Sequence, residues 1–335
     1  MNVKKLLDSM TAASRANGTI PVGTMASGAP IAIPYLVVKG SASGPCLWIN
    51  GQVHGNEING IFAALDFANA LDLRNLKGAV VVTATGNPLA FDARRKTAPP
   101  DDQDLDQSYP GRANGFTTER MAHALFAEAS AAATTLVNMH TMSHHFEAKP
   151  YGVYKVHGSA RVSEDELLTL MAPFHTSVAC RMSVDPGQGE LPGNIAGALD
   201  YQMLAVGIPA FMIELGAGSR ADRNDIAQGI AGLDGMARRL GMLPALSVEP
   251  LPLRRVTRRT HVTFDHGGLF RACRTPGEVV RAGEPMGEVM SVWGEVLETM
   301  TLPYDCIIIG IRRDPVVHSG DRFGFVAQAW ESISR

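Results

Sequence analysis

The sequence predicts an α/β protein with a mostly parallel or mixed sheet, followed by a small all-β domain. Three observations carry this. Between residues 45 and 85 a strand pattern, a helical pattern and a second strand pattern follow one another, as in a βαβ unit. The second strand contains Ala79-Val80-Val81-Val82 with no polar alternation, as expected for a strand covered on both faces. Beyond residues 244–252, which hold three prolines, the pattern changes to short β-like runs separated by turns. The expected division is therefore 1–245 for the larger domain and 250–335 for the small β domain.

Taken in order, residues 1–30 read as a leading helix and turns. Apolar runs at 31–39 and 45–50 read as strands, and Gly51 ends the second. Ile58, Ile61, Phe62, Leu65 and Leu71 approximate helical spacing, so a helix runs to about residue 73. Residues 78–85 form the central strand. The Pro-, Asp- and Gly-rich stretch 86–116 is long enough to be a functional loop rather than a connector. A helix is expected at 117–132, capped by Thr117 or Thr118, and then a strand at 134–139 ending at His140. A strand at 151–157, helices near 164–172 and 195–206, a turn at 186–193, a strand at 208–215 and a helix at 222–240 complete the larger domain.

Bulk properties narrow the function classes. At 335 residues with 45% hydrophobic and 19% charged content, this is an ordinary globular chain. A net charge of -3 gives no basic excess to neutralise phosphates, so nucleic acid is not an expected partner. Lys4-Lys5 are followed by Leu6-Leu7, but Asp8 interrupts any signal-peptide core, and no run approaches the roughly 20 apolar residues of a membrane span. No membrane association and a cytoplasmic location are the expectations. Cys46, Cys180, Cys273 and Cys306 are far apart without a CxxC pair and read as reduced thiols. The oligomeric state stays open, a homo-oligomer included.

The chemistry gathers at strand ends. His54 and Glu57 sit three apart after the strand at 45–50; with a helix beginning near Gly55, both turn toward one point, a metal-ligand spacing. His140 falls at another strand end, flanked by Asn138 and Thr141 as candidates to orient its ring. Ligands in open α/β sheets bind outside the carboxyl ends of strands. Two His and one Glu leave a fourth position open, as catalytic rather than structural zinc requires. Glu214 ends the apolar run Phe211-Met212-Ile213, where desolvation raises a carboxyl pKa toward a general-base range.

Several motifs in order resemble those of the succinylglutamate desuccinylase/aspartoacylase family, relatives of the zinc carboxypeptidases. They are His54-Gly55-Asn56-Glu57, Gly86-Asn87-Pro88 with Ala90-Phe91, Asp104-Leu105 with Tyr109-Pro110-Gly111, Met139-His140-Thr141 and Ile213-Glu214-Leu215-Gly216. They span most of residues 45–220. The resemblance implies a three-layer α/β/α, carboxypeptidase-like catalytic domain with one zinc on His54, Glu57 and His140. It implies Glu214 as general base and acid, hydrolysis of an amide bond in a small N-acylated substrate, and a barrel-sandwich-like C-terminal domain that narrows access to the site.

The departures concern the substrate. Where the family typically reads Asp-Leu-Asn-Arg, this chain has Asp104-Leu105-Asp106-Gln107, so the pair that grips a substrate carboxylate is replaced. The family's carbonyl-polarising Arg is matched best in spacing by Lys96, with Arg94 and Arg95 close by; a lysine lacks the bidentate fork. The replacement makes the locality about two units more negative, which favours a neutral or cationic N-acyl substrate over a dicarboxylate such as N-acetylaspartate. Asn87, Arg94, Arg95, Asp106, Gln107 and His144 are the expected substrate contacts, with His145, Arg112 and Lys149 as further candidates. His261 and the remaining histidines read as surface or core. The stretches 279–283 and 297–303 resemble a biotinyl or lipoyl hairpin, but 299–301 holds no lysine to carry a prosthetic group. Alternatives are a metallocarboxypeptidase-like peptidase and a catalytically impaired small-molecule binding protein.

Overall fold

The computed structural model describes residues 2–158, 161–183, 194–245 and 250–335. The turn expected at 186–193 lies outside them. The chain opens with α1 (Val3–Ser9), β1 (Ser14–Thr24), β2 (Pro30–Lys39) and β3 (Ala42–Asn50), then α2 (Asn59–Ala70) and β4 (Lys77–Thr83). Next come α3 (Pro88–Ala93), α4 (Thr117–Ala132), β5 (Thr135–Met142), β6 (Phe146–Ala148) and β7 (Tyr151–Val156). They are followed by α5 (Glu164–Met171), β8 (Ala179–Ser183), α6 (Leu199–Ala205), β9 (Ala210–Ala217) and α7 (Arg223–Arg239). The C-terminal part comprises β10 (Pro252–Thr263), β11 (Gly268–Ala272), β12 (Val279–Val280), β13 (Gly287–Met290), β14 (Val296–Met300), β15 (Cys306–Arg312), β16 (Val316–Val317) and β17 (Arg322–Ser334).

Strands β4, β3, β5 and β9 lie side by side and parallel, as the βαβ pattern predicts. Alternate residues of these strands feed two cores. Leu47, Ile49, Val80, Val82, Val137 and Ile213 pack with α2, α5 and α7, whereas Trp48, Val81, Leu136 and Ala210 pack with α4 and α6. Helices therefore cover both faces, which is why the strands lack polar alternation. Each fully buried Ile or Val contributes about 1.5–3 kcal/mol. Helix α2 presses close to the sheet: a Cβ at Gly60 would lie 2.4 Å from the Gly51 carbonyl oxygen.

The sheet is mixed and larger than the sequence pattern predicts. Its order is β1-β2-β4-β3-β5-β9-β7-β8-β10-β17-β15-β12, with β6 paired to β15. Strand β10 runs parallel to β8 and antiparallel to β17, so hydrogen bonding continues unbroken into the C-terminal part. Among the described residues, only β14, β13, β11 and β16 form a separate antiparallel sheet. Three strands of the larger domain escape the sequence reading, the three-residue β6 among them. β1 holds Asn17-Gly18 and Pro21-Val22-Gly23, which resemble turns, yet it pairs with β2 along its length with a bulge between Pro21 and Gly23. An edge strand tolerates Pro because one side needs no donors. β8 is five residues long and interrupted by Arg181.

Some boundaries differ. Helix α2 begins at Asn59 rather than near Gly55, leaving His54 and Glu57 in the preceding loop. The cap of α4 is Phe116, whose N–H donates to Glu119 at 2.9 Å, while the Thr118 N–H donates to Asp101 at 2.7 Å. Carboxylates near the start of α4 thus take the place of the expected Thr cap. No helix among the described residues is long and apolar enough to cross a membrane.

Candidate active site

The loop 51–58 leaves the carboxyl end of β3 and is held from two sides. Its Gly55 N–H donates to the Arg95 carbonyl at 2.8 Å, and a Cβ at Gly55 would stand 1.8 Å from the Ala90 carbonyl oxygen. The Asn56 carbonyl accepts from Ser219 N–H at 2.7 Å, tying the loop to the segment after β9. A tight turn, Glu57 N–H to His54 carbonyl at 3.0 Å, then brings the two side chains together. The shared direction expected of a helical first turn is achieved here by a turn in the loop.

His140 enters from β5 and completes the group. His54 Nδ1 is 2.7 Å from Glu57 Oε1, and His140 Nδ1 is 3.0 Å from Glu57 Oε2. All three residues are buried, and their candidate ligand atoms lie within 4.8 Å of one another. The far nitrogen of each ring is also engaged: His54 Nε2 lies 3.0 Å from Asp104 Oδ1, and His140 Nε2 lies 3.0 Å from Asn138 Nδ2. Asn138 is itself fixed by Asn50 at 2.8 Å. Thr141 contributes its N–H, which donates to Glu57 Oε2 at 3.2 Å. Two Nδ1 atoms and a carboxylate facing one point, with the opposite ring nitrogens held, match the way metal-ligating histidines are oriented. The donor set fits a zinc ion.

The charges of this group act on one another at close range. Burial opposes a charged His54, but the Glu57 and Asp104 carboxylates outweigh it and raise the imidazole well above its usual range. Burial likewise opposes ionised Glu57, but the two imidazoles bring it down to about 2. Glu214, on β9, behaves differently. Burial dominates there and raises its carboxyl to about 7, with Glu57 adding to the effect and the histidines and the Tyr151 phenol opposing it. Its Oε2 is buried without a hydrogen-bond partner among the described residues. A carboxyl poised near neutrality, with one oxygen held by Tyr151 and the other uncommitted, can both take and return a proton.

These groups line a cavity of about 820 Å³. Arg94, Arg95, Lys96, Asp106, Gln107, His144 and His145 line it as well. Lys96 pairs with Asp104 at 2.9 Å while its side chain stays 60% exposed. Arg95 pairs with Asp102 at 2.9 Å. Asp106 stands 3.8 Å from His140 Nε2, and burial raises its carboxyl pKa. The Gln107 side chain donates to Asp104 at 3.3 Å and accepts from Asn194 N–H at 3.1 Å. His144 is 3.0 Å from Asn56 and rests on His145, which pairs with Asp314. Asn87 does not line the cavity; it is buried and caps α3 by accepting from Ala90 N–H at 3.1 Å. Arg112 is occupied by Glu119 at 2.9 Å and, like Lys149, does not line this cavity.

The sequence reading missed several lining residues. Tyr151 and Lys155 come from β7, and Lys155 is buried against Asp200 at 2.7 Å. Arg259 and His261 from β10, and Arg322 and Phe325 from β17, also reach the cavity. His261 is thus a lining residue rather than merely surface or core. No local signal identifies it; its place depends on β10 pairing with β8.

A family model for the succinylglutamate desuccinylase/aspartoacylase catalytic domain matches residues 43–240. An N-alpha-acetyl-L-2,4-diaminobutyric acid deacetylase from Halomonas elongata is 24% identical over 309 residues, covering 90% of this chain and 87% of that protein. The fold matches a crystal structure of a succinylglutamate desuccinylase from a Silicibacter species, with TM-score 0.80, 20% identity, and 96% and 98% of the two chains covered. It also matches the product-bound structure of an ectoine utilization protein from Ruegeria pomeroyi, with TM-score 0.79, 19% identity and the same coverage.

Proposed function

The chain belongs to the succinylglutamate desuccinylase/aspartoacylase family, and from that premise we propose that it is a zinc-dependent hydrolase of a small N-acylated amine or amino-acid derivative. The observation that carries this reading is the convergence of one candidate ligand atom each from His54, Glu57 and His140 within 4.8 Å, with Glu214 lining the same cavity. His54, Glu57 and His140 would hold one zinc. When bound, zinc supplies Lewis acidity toward water and an amide carbonyl. Glu214 takes a proton from the attacking water and delivers it to the departing amine. Its carboxyl near 7 suits both transfers. Lys96, with Arg94 and Arg95 beside it on the cavity wall, offers positive charge to the carbonyl oxygen.

In this reading Asp106 and Gln107 disfavour an anionic group on their side of the cavity and favour an amine. The Halomonas relative, described as a deacetylase of an acetylated diamino acid, supports an amine-bearing substrate. Residues 1–245 form the hydrolase unit, and 250–335 narrow access to it. Metal analysis joined to a Glu214→Ala variant tests the proposal. Stoichiometric zinc and Glu214-dependent release of a free amine are expected. A folded protein that takes no zinc would overturn the mechanism, and zinc without Glu214-dependent hydrolysis of any N-acyl amine would favour a binding protein.

A further inference from the structure

The sheet delivers a second set of charges to the cavity from far along the chain. Arg259 and His261 are alternate residues of β10, and Phe325 of β17 stands opposite His261 in the register. The Arg259 guanidinium lies 4.8 Å from the Phe325 ring centroid, and the His261 ring stacks on Phe325 at 4.5 Å. Arg259 is 4% exposed. A guanidinium held against an aromatic face keeps its charge at any working pH and loses little further freedom on binding an anion. Burial, followed by the charges of Arg322 and Arg259, pushes His261 down to about 4. Both arginines therefore act on the place His261 occupies.

The two ends of the cavity differ in charge: the β3 and β5 end carries acids together with Lys96, Arg94 and Arg95, whereas the lining residues of β10 and β17 include no acid. Asp104 and Asp106 lie beside His54 and His140, at the β3 and β5 end. Arg259 and Arg322 lie at the β10 and β17 end. Between them the lining includes Met212, Val153 and Met182 from β9, β7 and β8, an apolar floor. Three strand spacings separate β9 from β10, about 14 Å between backbones. Tyr151, which hydrogen-bonds Glu214, also lies within range of the Arg259 charge, so Glu214 and the guanidinium flank a common part of the cavity.

We propose that Arg259, assisted by Arg322, binds a substrate carboxylate, so that the substrate is an N-acylated diamino acid whose second amine faces Asp106. The identity of the cleaved bond rests on the hydrolase reading above; the anion site does not. Carboxylate recognition would thus have moved from the positions of Asp106 and Gln107 to the opposite end of the cavity. A bidentate Arg–carboxylate contact supplies the discrimination.

The test is calorimetric titration of the full chain carrying Glu214→Gln in zinc-supplemented buffer, where turnover does not interfere. The probes are Nα-acetyl-2,4-diaminobutyrate and its carboxamide. The acid is expected to bind at least tenfold more tightly than the carboxamide. Arg259→Gln should erase that difference while moving carboxamide affinity less than threefold, and Arg259→Lys should keep part of it. Equal affinity for the two probes, a preference that survives Arg259→Gln, or no binding of the acid would overturn the proposal. If Arg259→Gln does not fold, the Arg259→Lys/Arg322→Gln variant replaces it; at least a threefold loss of preference is expected, and an unchanged preference overturns the site. Failure of the hydrolase reading would appear separately, as absence of turnover in protein with Glu214 intact.

Discussion

His140 and Glu214 stand directly opposite one another on the adjacent parallel strands β5 and β9. The register places a metal-capable imidazole beside a carboxyl held near neutrality. A slip of one residue between these strands would turn one side chain to the opposite face of the sheet. The pairing of Asn138 with Met212 and of Val137 with Phe211, in the same register, locks this relationship into the buried core.

Glu214→Gln should lower kcat by about 10²–10⁴ if the carboxylate moves the proton. The same variant makes a stability prediction for chelated protein. Glu214 is raised from 4.5 to about 7 in the fold, so below pH 4.5 it is protonated whether folded or unfolded and imposes no penalty. As pH rises through that interval the unfolded chain releases the proton first, and stability falls until about pH 7. Urea unfolding should therefore show Glu214→Gln gaining on the parent by on the order of 2–3 kcal/mol between pH 4.5 and 8. A constant difference across that range would contradict the assignment.

Asp104→Asn removes the carboxylate behind His54 Nε2 without touching the three proposed ligands. Outer-shell changes of this kind typically cost 10–100-fold in metal affinity. Competition with a chromogenic chelator should show zinc affinity reduced by roughly that factor. Unchanged affinity would mean that Asp104 serves Lys96, its other partner at 2.9 Å, rather than the metal centre.

Asp106→Asn with Gln107→Arg restores the family's pair and changes the local charge by two positive units, one from each substitution. The ratio of kcat/KM for N-acetylaspartate to that for an acetylated diamine should rise by about tenfold or more, a shift of about 1.4 kcal/mol. A ratio that stays fixed would remove these two positions from substrate choice.

Gly55→Ala tests the loop. The added Cβ would meet the Ala90 carbonyl oxygen at 1.8 Å and the Arg95 carbonyl oxygen at 2.6 Å, both of them backbone. Since neither can rotate away, the loop must shift, costing about 1–3 kcal/mol. Thermal unfolding should fall accordingly, and zinc affinity should fall with it because His54 and Glu57 ride on that loop. Normal affinity in a destabilised protein would separate loop packing from ligand placement.

Residue order and type were sufficient to identify the parallel strands β3, β4, β5 and β9, because continuous apolar runs and strand-end polar residues are local signals. His54, Glu57, His140 and Glu214 were legible for the same reason: each sits at or just beyond one of those runs. The turn that joins His54 to Glu57, with α2 starting only at Asn59, was not legible, since it depends on Gly55 packing under the backbone of Ala90 and Arg95. Nor was β1, whose turn-like residues become a strand only through pairing with β2. The opposite wall of the cavity lay furthest from view. Arg259 and Phe325 are separated from His54 by more than half the chain, and nothing in their neighbours marks them. They reach the site because β10 pairs with β8 on one side and β17 on the other, and such pairing is a property of the assembled sheet.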